Sequence, residues 1–338
     1  MMHAEQPLRE RGRRFEWKRM ALAAVALLAG SAVMGPAALA QSEFPNKPIH
    51  FVVGFAAGGP SDLISRVIGA KMSEALGQQV VVENRTGAGG TVATDYVARS
   101  EPDGYTILSA STANASNETL SKSLQARFGK DIVGVAALAQ TANVLVVHPS
   151  LGVKTYAEFI ALAKKKELLY ATAGVGSSTH LTNELFNTMA GVKTVPVHYR
   201  GGGDALKDLI SGQVNMMFSS IAPVLSLVQQ GKLVAIATTG SKRDAAFPDL
   251  PTIAEAGLPG FETQLWIGII ARAGTPKPVI DKLAEAAGKA VRDPTVLAVL
   301  GKQGFEPLVM SVEQFDAFYR AERDKWGKVI KDTGMDKN

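Results

Sequence analysis

Short apolar runs alternate with amphipathic helical runs along almost the whole chain, and this alternation limits the possible folds more than any other feature. Runs such as IHFVVGF (49–55) and LVAIATT (233–239) are nearly continuous in apolar residues, which is typical of strands buried on both faces of a sheet. Between such runs, residues 61–76 carry their apolar side chains on one helical stripe that ends at Gly77. The sequence therefore predicts an α/β fold with parallel-rich sheets flanked by helices. The predicted strands are 49–55, 79–84, 105–110, 143–148, 168–174, 194–199, 214–220, 233–239 and 265–271, and the predicted helices are 61–76, 91–99, 155–166, 179–190, 203–211, 221–230 and 277–292, followed by a long amphipathic run.

The first forty residues have the pattern of a secretory signal peptide. A basic stretch, RERGRRFEWKR, precedes the apolar stretch MALAAVALLAGSAVMG, and Ala38-Leu39-Ala40 provides a cleavage site before Gln41. The alternative is a membrane anchor, but the apolar stretch contains glycine and serine and is short for a span. We predict export and cleavage, with the Sec route favoured over the twin-arginine route that Arg13-Arg14 would suggest.

Charge and cysteine content exclude several classes of function. Residues 1–40 carry six basic and three acidic side chains, so their removal lowers the net charge from +5 to +2. No basic stripe with interleaved aromatic residues follows, and nucleic-acid binding is not predicted. The chain has no cysteine, which excludes disulfides, thiolate chemistry and cysteine-ligated metals.

Two long extended stretches indicate how the chain is divided. VAALAQTANVLVVHP (135–149) and FETQLWIGIIARAG (261–274) are each long enough to pass between two lobes. We predict a discontinuous first lobe, 41–142 plus 263–338, and a second lobe, 143–262, with a ligand cleft between them.

Four segments rich in glycine, serine and threonine lie between a predicted strand and a predicted helix. At the carboxyl ends of parallel strands, the following helices present unpaired N–H groups and the positive ends of their dipoles. Glycine lets a ligand approach the backbone and hydroxyl groups add donors, so such junctions suit an anion. Ordinary helix capping also explains a single junction, but four together favour an anion-binding cleft with two junctions in each lobe. The segments are AAGGPSD (56–62), SASTANASN (109–117), AGVGSSTH (173–180) and YRGGGDAL (199–206).

A fifth glycine-rich segment, ENRTGAGGTVATD (83–95), invites comparison with a dinucleotide-binding loop. The fingerprint that starts at Gly87 and Gly89 requires glycine or alanine at position 92, where this chain has Val92. No cofactor is therefore predicted.

Ser177, Ser178 and His180 are the residues that would support a secreted serine hydrolase. The surrounding GVGSSTH lacks the G-x-S-x-G nucleophile elbow, and the base of a serine triad usually comes from a separate loop. The other histidines are dispersed and no HExxH motif is present, so no metal site is predicted. We predict a binding protein and keep the hydrolase as an alternative.

The chain resembles the periplasmic substrate-binding receptors of tripartite tricarboxylate transporters, the Bug-type receptors. The resemblance runs from about residue 44 to the C-terminus and is most specific in ENRTGAGG with PDGYT and in FPDLPTIAEAGLPGFE. It implies a two-lobed, type II-like periplasmic binding protein, monomeric and located in the periplasm. Such a receptor closes on a small carboxylate and delivers it to integral-membrane permease subunits. The ligand classes implied are di- and tricarboxylates, acidic amino acids and aromatic acids. The alternative is a receptor that signals to a sensor kinase without transport.

The resemblance also implies which residues bind the ligand. Many family members have proline where this chain has Ala56-Ala57, and many have aspartate at the cleft-facing strand end occupied here by Ser219. Arg200 favours a second negative charge on the ligand, whereas Asp204 favours an amine, and both possibilities stay open. The implied proximal site consists of Phe55, Ala57, Gly58, Gly59, Ser61, Asp62, Ser177, Ser178 and Thr179, and the distal, specificity-setting part consists of Ser111, Thr112, Ala113, Arg200, Gly202, Gly203 and Asp204, with Ser219 nearby.

Overall fold

Strands and helices alternate in the order that the sequence predicts. The computed structural model describes residue 1 and residues 44 to 337; the predicted signal peptide, residues 1–40, lies outside the described residues apart from residue 1. The strands are β1 (Ile49–Val53), β2 (Val80–Asn84), β3 (Thr106–Ser111), β4 (Ile132–Val147), β5 (Leu168–Thr172), β6 (Thr194–His198), β7 (Met216–Ser220), β8 (Val234–Thr238), β9 (Gln264–Arg272) and β10 (Glu306–Pro307). The helices are α1 (Pro60–Leu76), α2 (Thr91–Ala98), α3 (Thr112–Leu120), α4 (Tyr156–Ala163), α5 (Ser178–Ala190), α6 (Gly202–Ile210), α7 (Ile221–Gln229), α8 (Lys277–Arg292), α9 (Pro294–Lys302) and α10 (Val312–Thr333).

Apart from small shifts at element ends, four elements differ from the prediction, and two of them, α9 and β10, have no predicted counterpart. The strand predicted at 143–148 begins at Ile132 and is 16 residues long. The segment predicted as an open junction at 109–117 is the end of β3 followed directly by α3. The helix begins there because the Ser111 N–H donates to Asn114 Oδ1 at 2.8 Å, which closes the first turn of a segment that carries few strong helix formers.

One connected sheet runs through the described chain in the order β2-β1-β3-β9-β4-β7-β5-β6, with β8 and β10 also paired to β4. β1 is parallel to β2 and β3, and β5 is parallel to β6 and β7, whereas β4 and β9 run antiparallel to their neighbours. The sheet is therefore mixed, because β4 and β9 are crossing strands that do not belong to a strand-helix-strand unit. The α/β class with flanking helices is confirmed.

The long strand β4 joins two halves of this sheet. It pairs with β9 through Ala142 and with β7 from Asn143 onward. We call β1, β2, β3 and β9, with β4 up to Ala142, the first half, and β5 to β8, with β4 from Asn143, the second half. The predicted lobe boundaries stay a prediction.

The apolar core is divided in the same way as the sheet. Trp266, Phe315 and Tyr319 lie in the core of the first half. Phe186 and Phe218 lie in the core of the second half, with ring centroids 5.6 Å apart. Each half therefore buries its own apolar side chains.

The C-terminal helix α10 bridges the two halves. Trp326 and Ile330 of α10 pack with Leu181 of α5. Glu322 accepts hydrogen bonds from the indole N–H of Trp266 at 3.0 Å and from that of Trp326 at 2.9 Å. This helix therefore fixes α5 relative to β9. Within the described range, every helix is too short or too polar to cross a bilayer.

Candidate functional site

The glycine-rich junctions lie at the carboxyl ends of parallel strands, as predicted. β1 ends at Val53 and its loop leads into α1, and β5 ends at Thr172 and its loop leads into α5. Parallel neighbours deliver their carboxyl ends to one edge of a sheet, so each half presents its junctions side by side. A Cβ built on Gly174 would lie 3.3 Å from the Tyr199 carbonyl, so the junctions after β5 and β6 are in contact.

The loop between β1 and α1 presents bare backbone to solvent. Ala56, Ala57 and Gly58 are exposed, and Gly58 has a φ of +81°, in the left-handed region that favours glycine. The N–H groups of Ser61 and Asp62, in the first turn of α1, donate to no backbone oxygen of the described chain. The loop therefore offers main-chain donors near the positive end of a helix dipole.

Asp62 organises this loop. Its carboxylate accepts hydrogen bonds from the Gly58 N–H at 2.8 Å and from Asn84 Nδ2 at 2.9 Å. It also forms an ion pair with Arg66 at 2.9 Å, and only 4% of the Asp62 side chain is exposed. Burial raises the pKa of Asp62, but the hydrogen bonds from Arg66, Gly58 and Asn84 outweigh it and hold the pKa below its ordinary value. The carboxylate is therefore ionised and engaged in shaping the loop.

The loop between β5 and α5 is held by its own hydroxyl groups. Ser177 Oγ donates to the Gly174 carbonyl at 2.7 Å and shares a hydrogen bond with Thr179 Oγ1 at 3.0 Å. Thr179 Oγ1 also accepts from the Ala173 N–H at 3.0 Å. The Ser178 hydroxyl has no hydrogen bond to another described residue. Ser178 is therefore the hydroxyl of this junction that is free to bind a ligand.

His180 supports this loop from behind. Its Nδ1 accepts from the Gly176 N–H at 3.1 Å, and its ring lies edge-on to that of His198, with centroids 4.7 Å apart. Burial, reinforced by the nearby His198, lowers the pKa of His180 to about 4, so the ring is neutral. Because the His180 Nδ1 is occupied by Gly176 and Ser177 donates to a carbonyl, the described residues provide no base for Ser177. The geometry argues against the hydrolase alternative.

Ser111, Thr112 and Ala113 lie where β3 passes into α3. Their exposed fractions are 2%, 0% and 3%, and Thr112 Oγ1 donates to the Gln264 carbonyl at 3.2 Å. All three residues are buried, and the Ser111 N–H is already donated to Asn114 Oδ1.

Loops of the two halves are in direct contact. The Ser116 hydroxyl, on α3, lies 3.2 Å from the Gly176 carbonyl of the second half and 3.1 Å from the Ala113 carbonyl of its own helix, so its single proton is shared between these two acceptors. Within the first half, Asn117 Nδ2 donates to the Gly89 carbonyl at 2.8 Å. A Cβ on Gly89 would lie 3.0 Å from the Val175 carbonyl, and one on Gly176 would lie 2.7 Å from Asn117 Oδ1. The glycine cluster that failed the dinucleotide fingerprint therefore provides close backbone contact beside the β5 junction.

Charged residues follow β6 on an exposed segment. Arg200 is exposed and forms no hydrogen bond or ion pair with another described residue. Asp204 is paired with Lys207 at 2.9 Å. Gly202 and Gly203 are exposed, and a Cβ on either would meet no atom within 4 Å. Arg200 is therefore the unpaired charge of this segment.

Ser219 is buried at the end of β7. It is 4% exposed, and its Oγ donates to the Ser220 carbonyl at 2.9 Å. Its position at the end of β7 agrees with the prediction, but its hydroxyl is occupied. Whether any of these residues contacts a ligand stays a prediction.

Several residues that organise the site were missed by sequence reasoning. Arg66 had a signal, since its spacing of four from Asp62 on a helix is typical of an ion pair. Asn84 forms a hydrogen bond with a residue 22 positions away, and Asn117 with one 28 positions away. No local sequence pattern predicts such contacts.

The family model, the relative and the solved structures to which this chain is similar agree with one another. A family model described as tripartite tricarboxylate transporter family receptor matches residues 64–335. The protein BugT of Bordetella pertussis is 33% identical over 302 residues, which cover 88% of this chain and 93% of BugT. The structure of Rpa4515 of R. palustris with adipate has a TM-score of 0.80 at 33% identity and covers 86% of this chain and 99% of that one. The structure of MatC (Rpa3494) from Rhodopseudomonas palustris with bound malate has a TM-score of 0.77 at 33% identity and covers 85% and 100%.

Proposed function

The chain belongs to the tripartite tricarboxylate transporter receptor family, and on this basis we propose that it captures a small carboxylate between its two halves and delivers it to the permease subunits of such a transporter. As a member of this family it is a periplasmic solute-binding receptor and not an enzyme, which confirms the predicted fold and receptor classes. The adipate of Rpa4515 and the malate of MatC are dicarboxylates, which supports a carboxylate ligand here. In this proposal the receptor is a monomer and is exported through residues 1–40.

The observation that carries the proposal is the close contact between α3 and the loop before α5: the Gly176 carbonyl lies 3.2 Å from Ser116 Oγ, and a Cβ on Gly176 would lie 2.7 Å from Asn117 Oδ1. It joins the two halves at the level of their junctions, where main-chain donors are concentrated. A carboxylate held between the first turns of α1 and α5 would accept from both sets of N–H groups and be favoured by both helix dipoles.

In the proposed site, one carboxylate of the ligand is bound by the main-chain N–H groups of the loop that Asp62 shapes. The N–H group and the hydroxyl group of Ser178 bind the same carboxylate. Arg200 binds a second negative group of the ligand. Asp204 does not oppose this group strongly, because Lys207 neutralises it. A neutral analogue would leave several main-chain donors buried and unpaired, at a cost of about 1–3 kcal/mol each.

Titration calorimetry tests the binding step. The purified protein would be titrated with adipate, malate, citrate, glutamate and benzoate, and, for each acid that binds, with the methyl ester in which every carboxyl group is esterified. We expect at least one acid to bind and its ester to bind at least about 100-fold more weakly. Ser178→Ala should weaken binding, whereas Ser123→Ala, at an exposed serine outside the junctions, should not. Equal binding of acid and ester would contradict the proposal.

Uptake measurements test delivery. Deletion of the gene should abolish uptake of the acid that the purified protein binds, and a plasmid copy should restore it. Unchanged uptake with loss of an acid-induced transcriptional response would favour the sensing role instead.

A further inference from the structure

Asn143 has a buried side chain whose polar atoms have no partner in the described structure. The residue is 1% exposed, and neither its Nδ2 nor its Oδ1 is hydrogen bonded. Buried polar groups in folded proteins almost always have a partner, because an unpaired one is costly. We propose that the Asn143 amide hydrogen bonds to a hydroxyl group of the carboxylate ligand and so selects for ligands that carry one. The inference rests on the proposed function and adds a specificity residue to it.

The backbone of Asn143 is held tightly beneath the start of α5. Its N–H donates to Thr239 Oγ1 at 2.9 Å, and its carbonyl accepts from the Thr239 N–H at 2.8 Å. Thr239 Oγ1 donates to the Thr263 carbonyl at 2.7 Å. Thr263 Oγ1 in turn accepts from Thr182 of α5 at 2.9 Å. This chain of hydrogen bonds fixes Asn143 relative to the helix whose first turn forms the proposed site.

The strand register places Asn143 at the level of the β5 junction. Asn143 lies opposite Ser220 at the end of β7. In the parallel pair of β5 and β7, Ala171 lies opposite Met217. If this register is extended past the end of β5 at Thr172, the loop that follows β5 comes level with Ser220. Asn143 is therefore level with the loop that leads into α5.

The residue that precedes Asn143 in β4, Ala142, belongs to the first half. Ala142 lies opposite Gln264 of β9, and the Gln264 carbonyl accepts from Thr112 at the start of α3. Asn143 thus lies where β4 passes between the halves, between the N-terminal ends of α3 and α5. This is where a ligand gripped by both halves would lie.

The chemistry of the amide indicates what it would recognise. An asparagine side chain both donates and accepts, whereas a carboxylate only accepts. A hydroxyl group also does both, so a hydroxyl on the ligand can satisfy the amide's donor and acceptor. A ligand without one leaves the buried amide unpaired. The preference for the hydroxylated ligand should be about tenfold, the scale of one well-placed hydrogen bond.

Titration calorimetry with succinate and malate, which differ by one hydroxyl, tests this inference. The wild-type protein should bind malate about tenfold more tightly than succinate. Asn143→Leu, which keeps the branching at Cγ but has no polar atoms, and Asn143→Ser, whose side chain is shorter, should bring the ratio of dissociation constants to about one. Thr238→Val is the matched control, since Thr238 is also buried with an unpaired hydroxyl but lies opposite Val144, on the other face of β4. It should leave the ratio unchanged.

The outcomes separate this inference from the function on which it rests. Binding of both acids with a ratio that the Asn143 variants do not change would overturn the inference alone, and an amide satisfied by a bound water would give this result. A wild-type protein without preference would also overturn it. Failure to bind any acid of the wider panel would refute the proposed function itself. If the leucine variant does not fold, the serine variant decides.

Discussion

Gly176 is the position where a single methyl group best tests the contact between the two halves. It is buried in the loop before α5 and has a φ of +74°. A Cβ at this position would lie 2.7 Å from Asn117 Oδ1 and 2.9 Å from Leu120 Cδ2, both on α3. Ordinary contacts between carbon atoms are about 3.5–4.0 Å. Gly176→Ala must therefore displace the Asn117 and Leu120 side chains or the loop itself.

Two costs add in this variant. An L-residue in the left-handed region costs about 1–2 kcal/mol, and overpacking adds about 1–3 kcal/mol. We expect the free energy of unfolding to fall by about 2–5 kcal/mol. Gly191→Ala is the matched control, because Gly191 has a φ of +62° and a Cβ at this position would meet no atom within 4 Å. In Gly191→Ala the free energy of unfolding should fall only by the cost of the left-handed backbone conformation, about 1–2 kcal/mol.

Urea denaturation measures the loss of stability, and titration calorimetry measures the effect on ligand binding. Gly176→Ala should bind a carboxylate ligand of the wild type at least about tenfold more weakly, since closure must bring this loop against α3. Gly191→Ala should bind like the wild type. In an Asn117→Ala, Leu120→Ala background, which lacks both contacting atoms, Gly176→Ala should cost about 1–3 kcal/mol less than it does in the wild type, and this difference is the recovery. Equal losses in the two glycine variants, or no recovery, would refute the reasoning.

Three further predictions concern ionisable side chains. Asp62→Asn should lower the free energy of unfolding by about 1–3 kcal/mol in urea, because the loop loses charge-assisted hydrogen bonds; weaker ligand binding at unchanged stability would indicate direct ligand contact instead. His180 has a folded pKa of about 4 against an ordinary 6.5, so the unfolded chain binds more protons between these values. Its contribution to stability should be complete above pH 6.5 and fall by up to about 1.4 kcal/mol per unit as the pH drops towards 4; an equal slope in His180→Gln would contradict this. Arg200→Gln should weaken dicarboxylate binding by about two- to fivefold and leave monocarboxylate binding unchanged, and calorimetry showing equal losses would rule out its assigned role.

The sequence alone predicts the order of elements well, because strand and helix patterns are local. Apart from the exposed His50, the residues of β1 and most residues of β5 are buried, and both strands appear as largely apolar runs. Gly77 ends α1 with a φ of +67°, as expected for glycine after a helix. The helix α3 was missed because threonine, asparagine and serine dominate its first turns, and its capping and burial overrode their weak helix propensity.

The sequence by itself determined where the polar junctions occur, since glycine, hydroxyl residues and helix starts are encoded within a few positions. Only the tertiary structure decided what those residues do. It engaged Asp62 with Asn84, brought Ser116 to Gly176 across 60 residues, and left the Asn143 amide buried without a partner. These outcomes depend on how β4 and β9 cross between the halves, and strand pairing between distant segments has no local sequence pattern. The sequence therefore shows where hydrogen-bond donors occur, and the pairing of the crossing strands determines which of these donors remain free to bind a ligand.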